Sequence, residues 1–147
     1  MKKQTLRRFT VLSFLLMLTA VTVSAQSERI RVINIPFSFI VGQKTLPAGE
    51  YDLEPNREGS DYVWLLQNRD GHATVLFATD LTRTSEPQEE TRLVFHKYGG
   101  QYFLSQIWTQ GETAGRELPM PRLEHQLAKN SIERQMIVLA SGPATRN

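Results

Sequence analysis

The sequence predicts a mainly β fold, an antiparallel β-barrel or β-sandwich of seven or eight strands with one short helix near the carboxyl end. Three observations predict this fold class. Apolar residues recur at every second position in several segments, which is the period of a strand with one buried face. Polar segments containing Gly, Pro, Asn or Asp separate the apolar runs and indicate turns. One stretch near the carboxyl end has apolar residues four apart, which is the spacing of a helix.

The length and composition fit a single globular domain. The chain has 147 residues, of which 40% are hydrophobic and 22% are charged, so it is too apolar for a wholly disordered protein. It contains no cysteine. This absence excludes a disulfide scaffold, a thiolate zinc site and a cysteine nucleophile.

The first 25 residues have the pattern of a secretory signal peptide. A basic head that includes Lys2 and Arg8 precedes a mainly apolar run over residues 9–23, and small residues stand before a cleavage site predicted after Ala25. Because this run is shorter than the roughly 20 residues of a membrane-spanning helix, we expect no stable membrane span after cleavage. Residues 26–147 are then a single exported β-rich domain, periplasmic or extracellular, with a tail that is frayed from about residue 141.

Removal of the signal peptide changes the charge of the chain. Residues 1–25 hold four of the 17 basic residues and none of the 15 acidic ones, which leaves 13 basic and 15 acidic groups and a net charge of −2. The lysines that remain are Lys44, Lys97 and Lys129. Because a nucleic-acid binder needs a basic surface, we expect no nucleic-acid partner.

The first predicted strand covers residues 31–41, where apolar residues alternate with other residues. Pro36 lies in the middle of this strand and has no backbone donor, which indicates an edge strand or a bend. A turn at residues 46–49, with Pro and Gly at its corners, leads to a second strand over residues 50–54.

The third predicted strand, residues 62–66, is an almost continuous apolar run. Such a run is typical of a strand that is buried on both faces. A polar segment at residues 68–71 ends in Asp-Gly, a strong hairpin signal, and leads to a fourth strand over residues 72–79.

The fifth and sixth predicted strands, residues 91–98 and 101–109, form the clearest hairpin of the chain. They are joined by Gly99 and Gly100, a two-residue link that suits a type I′ turn.

Long polar loops are predicted at residues 80–90 and 110–118. A short helix follows over residues 122–129, where two Leu residues stand four apart. A last strand over residues 131–140 closes the predicted fold.

Five short motifs carry a resemblance to a known family: IPFSFIVG at residues 35–42, LPAGEY at 46–51, LVFHKY at 93–98, YFLS at 102–105 and GRELP at 115–119. Together they resemble a family of small secreted bacterial proteins. The resemblance implies a secreted, mainly β domain, and it brings no activity and no catalytic residue with it.

The candidate site lies where the two long loops would meet, at one end of an up-and-down sheet, because binding residues are often found on such loops. Aromatic residues on neighbouring strands could line a pocket for an apolar or sugar ligand. His96 and Tyr98 share a strand face with Val94 and would supply polar groups to that pocket. We therefore predict six ligand-binding residues: His96, Tyr98, Trp108, Arg83, Arg116 and Glu117.

Catalytic and metal-binding patterns are weak in this sequence. The three histidines lack the spacing of a metal-ligand pair, so no metal and no cofactor is predicted. Ser105, His96 and Asp80 could be combined into a catalytic triad, but no Gly-x-Ser-x-Gly motif surrounds any serine.

The functional prediction is an exported, non-enzymatic binding or interaction module, whose partner is an unknown small ligand or an envelope protein. Two alternatives stay open. The protein could be a secreted hydrolase with its site at the long-loop end, or a structural component of the cell envelope. A pocket with convergent polar groups would favour ligand binding or catalysis, whereas a flat apolar patch would favour a protein partner.

Overall fold

The computed structural model describes residues 30–56, 62–132 and 134–140, and the predicted signal peptide and frayed tail lie outside these ranges. In the described residues the chain forms eleven strands and one helix. The elements are β1 (Ile30–Ile35), β2 (Phe39–Val41), β3 (Lys44–Leu46), β4 (Gly49–Pro55), β5 (Val63–Asn68), β6 (Thr74–Ala78), β7 (Asp80–Arg83), β8 (Arg92–Tyr98), β9 (Gln101–Trp108), β10 (Ala114–Glu117), α1 (Arg122–Ala128) and β11 (Arg134–Leu139).

The strands form two sheets. The small sheet has the order β1-β4-β5-β6, and the large sheet has the order β11-β8-β9-β10-β7. All of these neighbours are antiparallel. The short strand β2 runs parallel to β9, with Ile40 opposite Phe103, and pairs antiparallel with β3. The predicted mainly β, antiparallel fold is confirmed, and two sheets around one core correspond to the sandwich architecture.

The hydrophobic core contains residues of both sheets and of the β2–β3 hairpin. Full burial of a large apolar side chain contributes about 1.5–3 kcal/mol, so this cluster is the main stabilising element of the fold. Its members include Ile35, Tyr51, Leu53, Trp64, Leu66 and Phe77 of the small sheet, Leu93, Phe95, Leu104 and Ile107 of the large sheet, and Phe39, Val41 and Leu46 of the hairpin.

Pro36 ends β1 and separates it from β2. The predicted bend at Pro36 is therefore confirmed, but the single strand predicted over residues 31–41 is wrong, since β1 lies at the edge of the small sheet and β2 joins the large one. The next turn is closed by the Tyr51 hydroxyl, which donates a hydrogen bond of 2.6 Å to the carbonyl of Pro47. Burial raises the pKa of Tyr51, and a hydrogen bond with Asn68 opposes this effect.

The strand β5 differs from its prediction. Trp64 and Leu66 are buried, but Val63 and Leu65 are only half-buried, so the expected burial of both faces is wrong. The reason lies in the layers of the fold, because α1 packs against the large sheet and leaves the outer side of the small sheet partly open to solvent. Leu76 on the neighbouring strand β6 is also exposed, which agrees with a small sheet whose outer side is partly open to solvent.

Two turns were predicted from short sequence signals. The Asp-Gly turn between β5 and β6 is present, and the backbone N–H of Asp70 donates to Asn68 Oδ1 at 2.8 Å. The β8–β9 link also has two residues, as predicted. Only Gly99 has a positive φ, of 59°, so the expected type I′ geometry, which needs a positive φ at both residues, is wrong.

The two predicted long loops contain strands. The strands β7 and β10 pair with each other in antiparallel orientation. Ala114 lies opposite Arg83 at one end of the pairing, and Glu117 lies opposite Asp80 at the other. These short polar segments lack apolar alternation, and backbone hydrogen bonds to the edge of the large sheet hold them as strands. They raise the strand number above the seven or eight that the sequence predicts.

The predicted helix is confirmed as α1, which begins at Arg122 and ends at Ala128. The last predicted strand is confirmed as β11 at the edge of the large sheet. Within the described part of the chain, no helix has the length and apolar character to cross a membrane.

Candidate functional site

The large sheet has a second face, which we call the outer face, on the side away from the core. Leu93 and Phe95 of β8 belong to the core. Because neighbouring side chains on a strand point to opposite sides, Val94, His96 and Tyr98 lie on the outer face. The predicted common face of these three residues is thus confirmed. The helix α1 packs against this side of β8.

A β-bulge interrupts the pairing of β8 with β9. Phe95 lies opposite Leu104, and Val94 lies opposite Gln106, so Ser105 is an extra residue on β9. Bulges bend a strand and turn a side chain away from its regular direction, and they are frequent beside functional sites. The side chain of Ser105 lines a cavity on the outer face.

This cavity, which we call the helix-side cavity, has a volume of about 220 Å³. It lies between the outer face of the large sheet and the segment that leads from β10 into α1. The residues that line it come from five elements and one connecting segment: Asp80, His96, Ser105, Glu117, Leu118, Pro119, Met120 and Glu124.

A buried hydrogen bond joins the helix to the sheet at this cavity. His96 Nδ1 lies 2.8 Å from Glu124 Oε1, and the side chains are 15% and 3% exposed. An ionised carboxylate only accepts hydrogen bonds, so Nδ1 carries the donated proton when Glu124 is charged. The contact fixes the orientation of the imidazole ring, as an acidic partner does for the histidine of many binding and catalytic sites.

Ser105 is almost fully buried, with 5% of its surface exposed. Its carbonyl accepts a hydrogen bond of 2.8 Å from the backbone N–H of Leu118, which holds the segment after β10 against the bulge. Its hydroxyl makes no hydrogen bond to any residue in the described ranges. The cavity therefore contains a hydroxyl group whose donor and acceptor capacity no described residue uses.

Two further carboxylates stand at the more exposed side of the cavity. Asp80 on β7 lies directly opposite Glu117 on β10, and both residues are exposed. Side chains at opposite positions of an antiparallel pair have Cβ atoms about 4.5–5.5 Å apart. Neither carboxylate forms an ion pair with a described residue.

The structure brings two of the six predicted ligand-binding residues into the helix-side cavity, His96 and Glu117. Tyr98 lies on the same face, with its ring centroid 6.4 Å from that of His96, but it does not line the cavity. Trp108 is also on the outer face and is buried. Its indole N–H donates to Gln106 Oε1 at 3.0 Å.

Arg116 and Arg83 lie elsewhere. Arg116 directly precedes Glu117 on β10, so the two side chains point to opposite sides of the sheet. Arg116 lines a separate pocket with Trp64, and its guanidinium carbon lies 5.7 Å from the ring centroid of Tyr62. Arg83 is exposed at the end of β7.

Three cavity residues were missing from the predicted set: Asp80, Ser105 and Glu124. The first two appear in the sequence only as members of a weak triad pattern with His96, and the structure does bring all three to one cavity. Glu124 carries no signal of its own, because its burial depends on a histidine 28 residues away. In the part of the chain that is described, no group of three His, Cys, Asp or Glu side chains is placed to hold a metal ion.

The chain matches no protein-family model, and no curated protein or solved structure is significantly similar to it. The family resemblance of its five motifs stays a prediction.

Proposed function

We propose that the protein is an exported, non-enzymatic binding module that holds a small polar ligand in the helix-side cavity. The observation that carries the proposal is the Ser105 hydroxyl, which is nearly buried, faces the cavity and lacks a hydrogen-bond partner among the described residues. Export is proposed from the sequence pattern of residues 1–25 alone.

A hydrogen bond between neutral groups contributes a net free energy of about 0.5–1.5 kcal/mol. A ligand atom that hydrogen-bonds to the Ser105 hydroxyl would gain a contribution of this size. Polar atoms of His96, Glu117 and Asp80 around the same space can fix the orientation of such a ligand, and Leu118 offers apolar contact. Convergent polar groups in a partly apolar cavity are the usual composition of a ligand site.

The walls of the helix-side cavity are held in place by backbone and side-chain hydrogen bonds. Its polar residues stand on paired strands, and the Glu124–His96 hydrogen bond holds the helix that forms one wall. A preformed site loses less conformational entropy when a ligand binds than a site that must first become ordered. These features support a ligand site formed by strands of the large sheet and by α1. The sequence analysis had instead predicted a site on the long loops.

A second candidate function, hydrolysis, is favoured by one observation. Glu124 orients His96, and Ser105 lines the same cavity, so an acid, a base and a nucleophile occupy one site. A serine nucleophile is activated by a hydrogen bond to its base, and the Ser105 hydroxyl makes no hydrogen bond to a described residue. Binding without catalysis is therefore the function that the geometry supports best.

A thermal-shift screen of the purified protein tests the proposal. The panel contains neutral sugars, amines, carboxylic acids, nucleosides, divalent cations and soluble lipid analogues. A ligand that binds only the folded state, at about 100 times its Kd, adds about 2.7 kcal/mol to the stability and raises Tm by several degrees. We expect at least one compound class to do so.

Two variants test whether a ligand that raises Tm binds in the helix-side cavity. Ser105→Ala removes only the unpaired hydroxyl, so it should keep the Tm of the free protein and lose most of the shift. Glu89→Gln, a change of an exposed carboxylate outside the helix-side cavity, is the matched control and should keep the shift. A silent panel, or a shift that Ser105→Ala leaves intact, contradicts the proposal. Labelling of Ser105 by a fluorophosphonate reagent would support hydrolysis instead.

A further inference from the structure

We propose that the ligand of the helix-side cavity is an organic cation, a protonated amine attached to a small apolar or hydroxylated body. This inference rests on the binding function proposed above and specifies its ligand class. It starts from the charges of the cavity. Three of the lining residues are carboxylic acids, Asp80, Glu117 and Glu124, and none is lysine or arginine.

The three carboxylates are not equivalent. Glu124 is buried and is hydrogen-bonded to His96. Asp80 and Glu117 are exposed, lie directly opposite each other on β7 and β10, and have no ion-pair partner among the described residues. Like charges at opposite positions of an antiparallel pair repel each other. A cation between Asp80 and Glu117 would remove this repulsion and gain two charge-assisted hydrogen bonds.

Ser105 is an independent observation that points to the same ligand. Its hydroxyl oxygen has lone pairs that can accept a hydrogen bond from an N–H group, and no described residue uses them. It is nearly buried, while Asp80 and Glu117 are exposed, so the cavity has an inner wall and a more open side. The Ser105 hydroxyl and the carboxylates of Asp80 and Glu117 can all accept a hydrogen bond from an ammonium group, which has only donors.

The remaining lining residues select the body of the ligand. Leu118, Pro119 and Met120 give the cavity an apolar side next to the acidic one. A hydrated metal ion gains nothing from contact with hydrocarbon, whereas the carbon skeleton of an amine does. The combination of acidic and apolar sides therefore favours an organic cation.

The test compares amines with alcohols of the same skeleton by isothermal titration calorimetry. Cyclohexylamine is paired with cyclohexanol, and glucosamine is paired with glucose, so that each pair differs chiefly in the ammonium group. Each charge-assisted hydrogen bond corresponds to about a tenfold change in affinity or more. We expect at least one amine to bind about tenfold more tightly than its alcohol, and added salt to weaken the binding.

Isosteric variants locate the cation. Asp80→Asn and Glu117→Gln keep the shape of two exposed side chains, so they should leave the fold intact and each weaken amine binding by about tenfold. Glu89→Gln is the control with the same loss of charge outside the cavity, and it should bind the amine as the wild type does.

The outcomes separate this inference from the function on which it rests. If an alcohol binds as tightly as its amine and Ser105→Ala abolishes both, the cavity binds ligands but the cation inference is wrong. Amine binding that survives Asp80→Asn and Glu117→Gln, or binding of calcium chloride in place of amines, also overturns it. If no probe binds to the folded protein in either experiment, both proposals fail.

Discussion

The indole ring of Trp108 lies against the backbone of Gly115, its opposite residue on β10. A Cβ atom at Gly115 would be 2.5 Å from Cε3 of that ring, closer than van der Waals contact allows. Trp108 is buried and cannot swing into solvent. We predict that Gly115→Ala forces the ring or the strand to move and destabilises the protein by about 1–3 kcal/mol, as measured by urea unfolding.

Gly100→Ala is the matched control for this prediction. Nothing lies within 4 Å of the position of its Cβ, and its φ is outside the left-handed region. The substitution should therefore be neutral or stabilise the protein by up to about 1 kcal/mol through the unfolded state. Equal stability of the two variants would contradict the close packing of Trp108 on β10.

The helix α1 depends on the large sheet. It has seven residues, and isolated helices shorter than about 12–15 residues are marginal in water. Its only buried residue is Glu124, not one of the leucines that predict the helix in the sequence. Leu123 is 45% exposed. The contact of Glu124 with His96 is therefore the main attachment of α1 to β8.

We predict that Glu124→Ala detaches α1 without unfolding the sheets. A hydrogen bond to a charged group contributes about 1.5–3 kcal/mol, and its loss should raise amide hydrogen exchange in residues 122–128 by about tenfold or more. Exchange in β8 and β9 should change little. The measurement is hydrogen–deuterium exchange followed by mass spectrometry.

Gln126→Ala is the control within the same helix, because it introduces alanine at an exposed position. Its effect on stability should be within about 0.5 kcal/mol. Similar exchange in both variants would mean that the Glu124–His96 hydrogen bond does not hold the helix.

The molecule contains two tryptophans, and the sandwich places one in each sheet. Trp64 is on β5 of the small sheet, and Trp108 is on β9 of the large sheet. The two sheets share one hydrophobic core. Small domains with a single core unfold in one cooperative transition, so the two sheets should unfold together.

Single-tryptophan variants test this cooperativity. Trp64→Phe leaves fluorescence from the large sheet alone, and Trp108→Phe leaves fluorescence from the small sheet alone. In each variant we predict that the urea midpoint from fluorescence coincides with the midpoint from far-UV circular dichroism. Separate midpoints in either variant would show that the sheets are independent units.

Local patterns in the sequence predicted many elements well. Alternation identified β8 and β9, a four-residue spacing identified α1, and Pro36 marked the break between β1 and β2. They failed for β7 and β10, because pairing at a sheet edge depends on backbone hydrogen bonds that any polar sequence can make. The juxtaposition of Asp80 with Glu117 was out of reach for the same reason, since the two residues become neighbours only through that pairing.

The sequence by itself determined the mainly β class, the position of the helix and the location of most turns, because these depend on residues that are near one another in the chain. Only the tertiary structure decided which side chains share a cavity. Ser105 shares the cavity with Glu117 because β9 pairs with β10, and Glu124 is buried because it is hydrogen-bonded to His96 on β8. Both facts arise from contacts between distant segments, which local periodicity does not record.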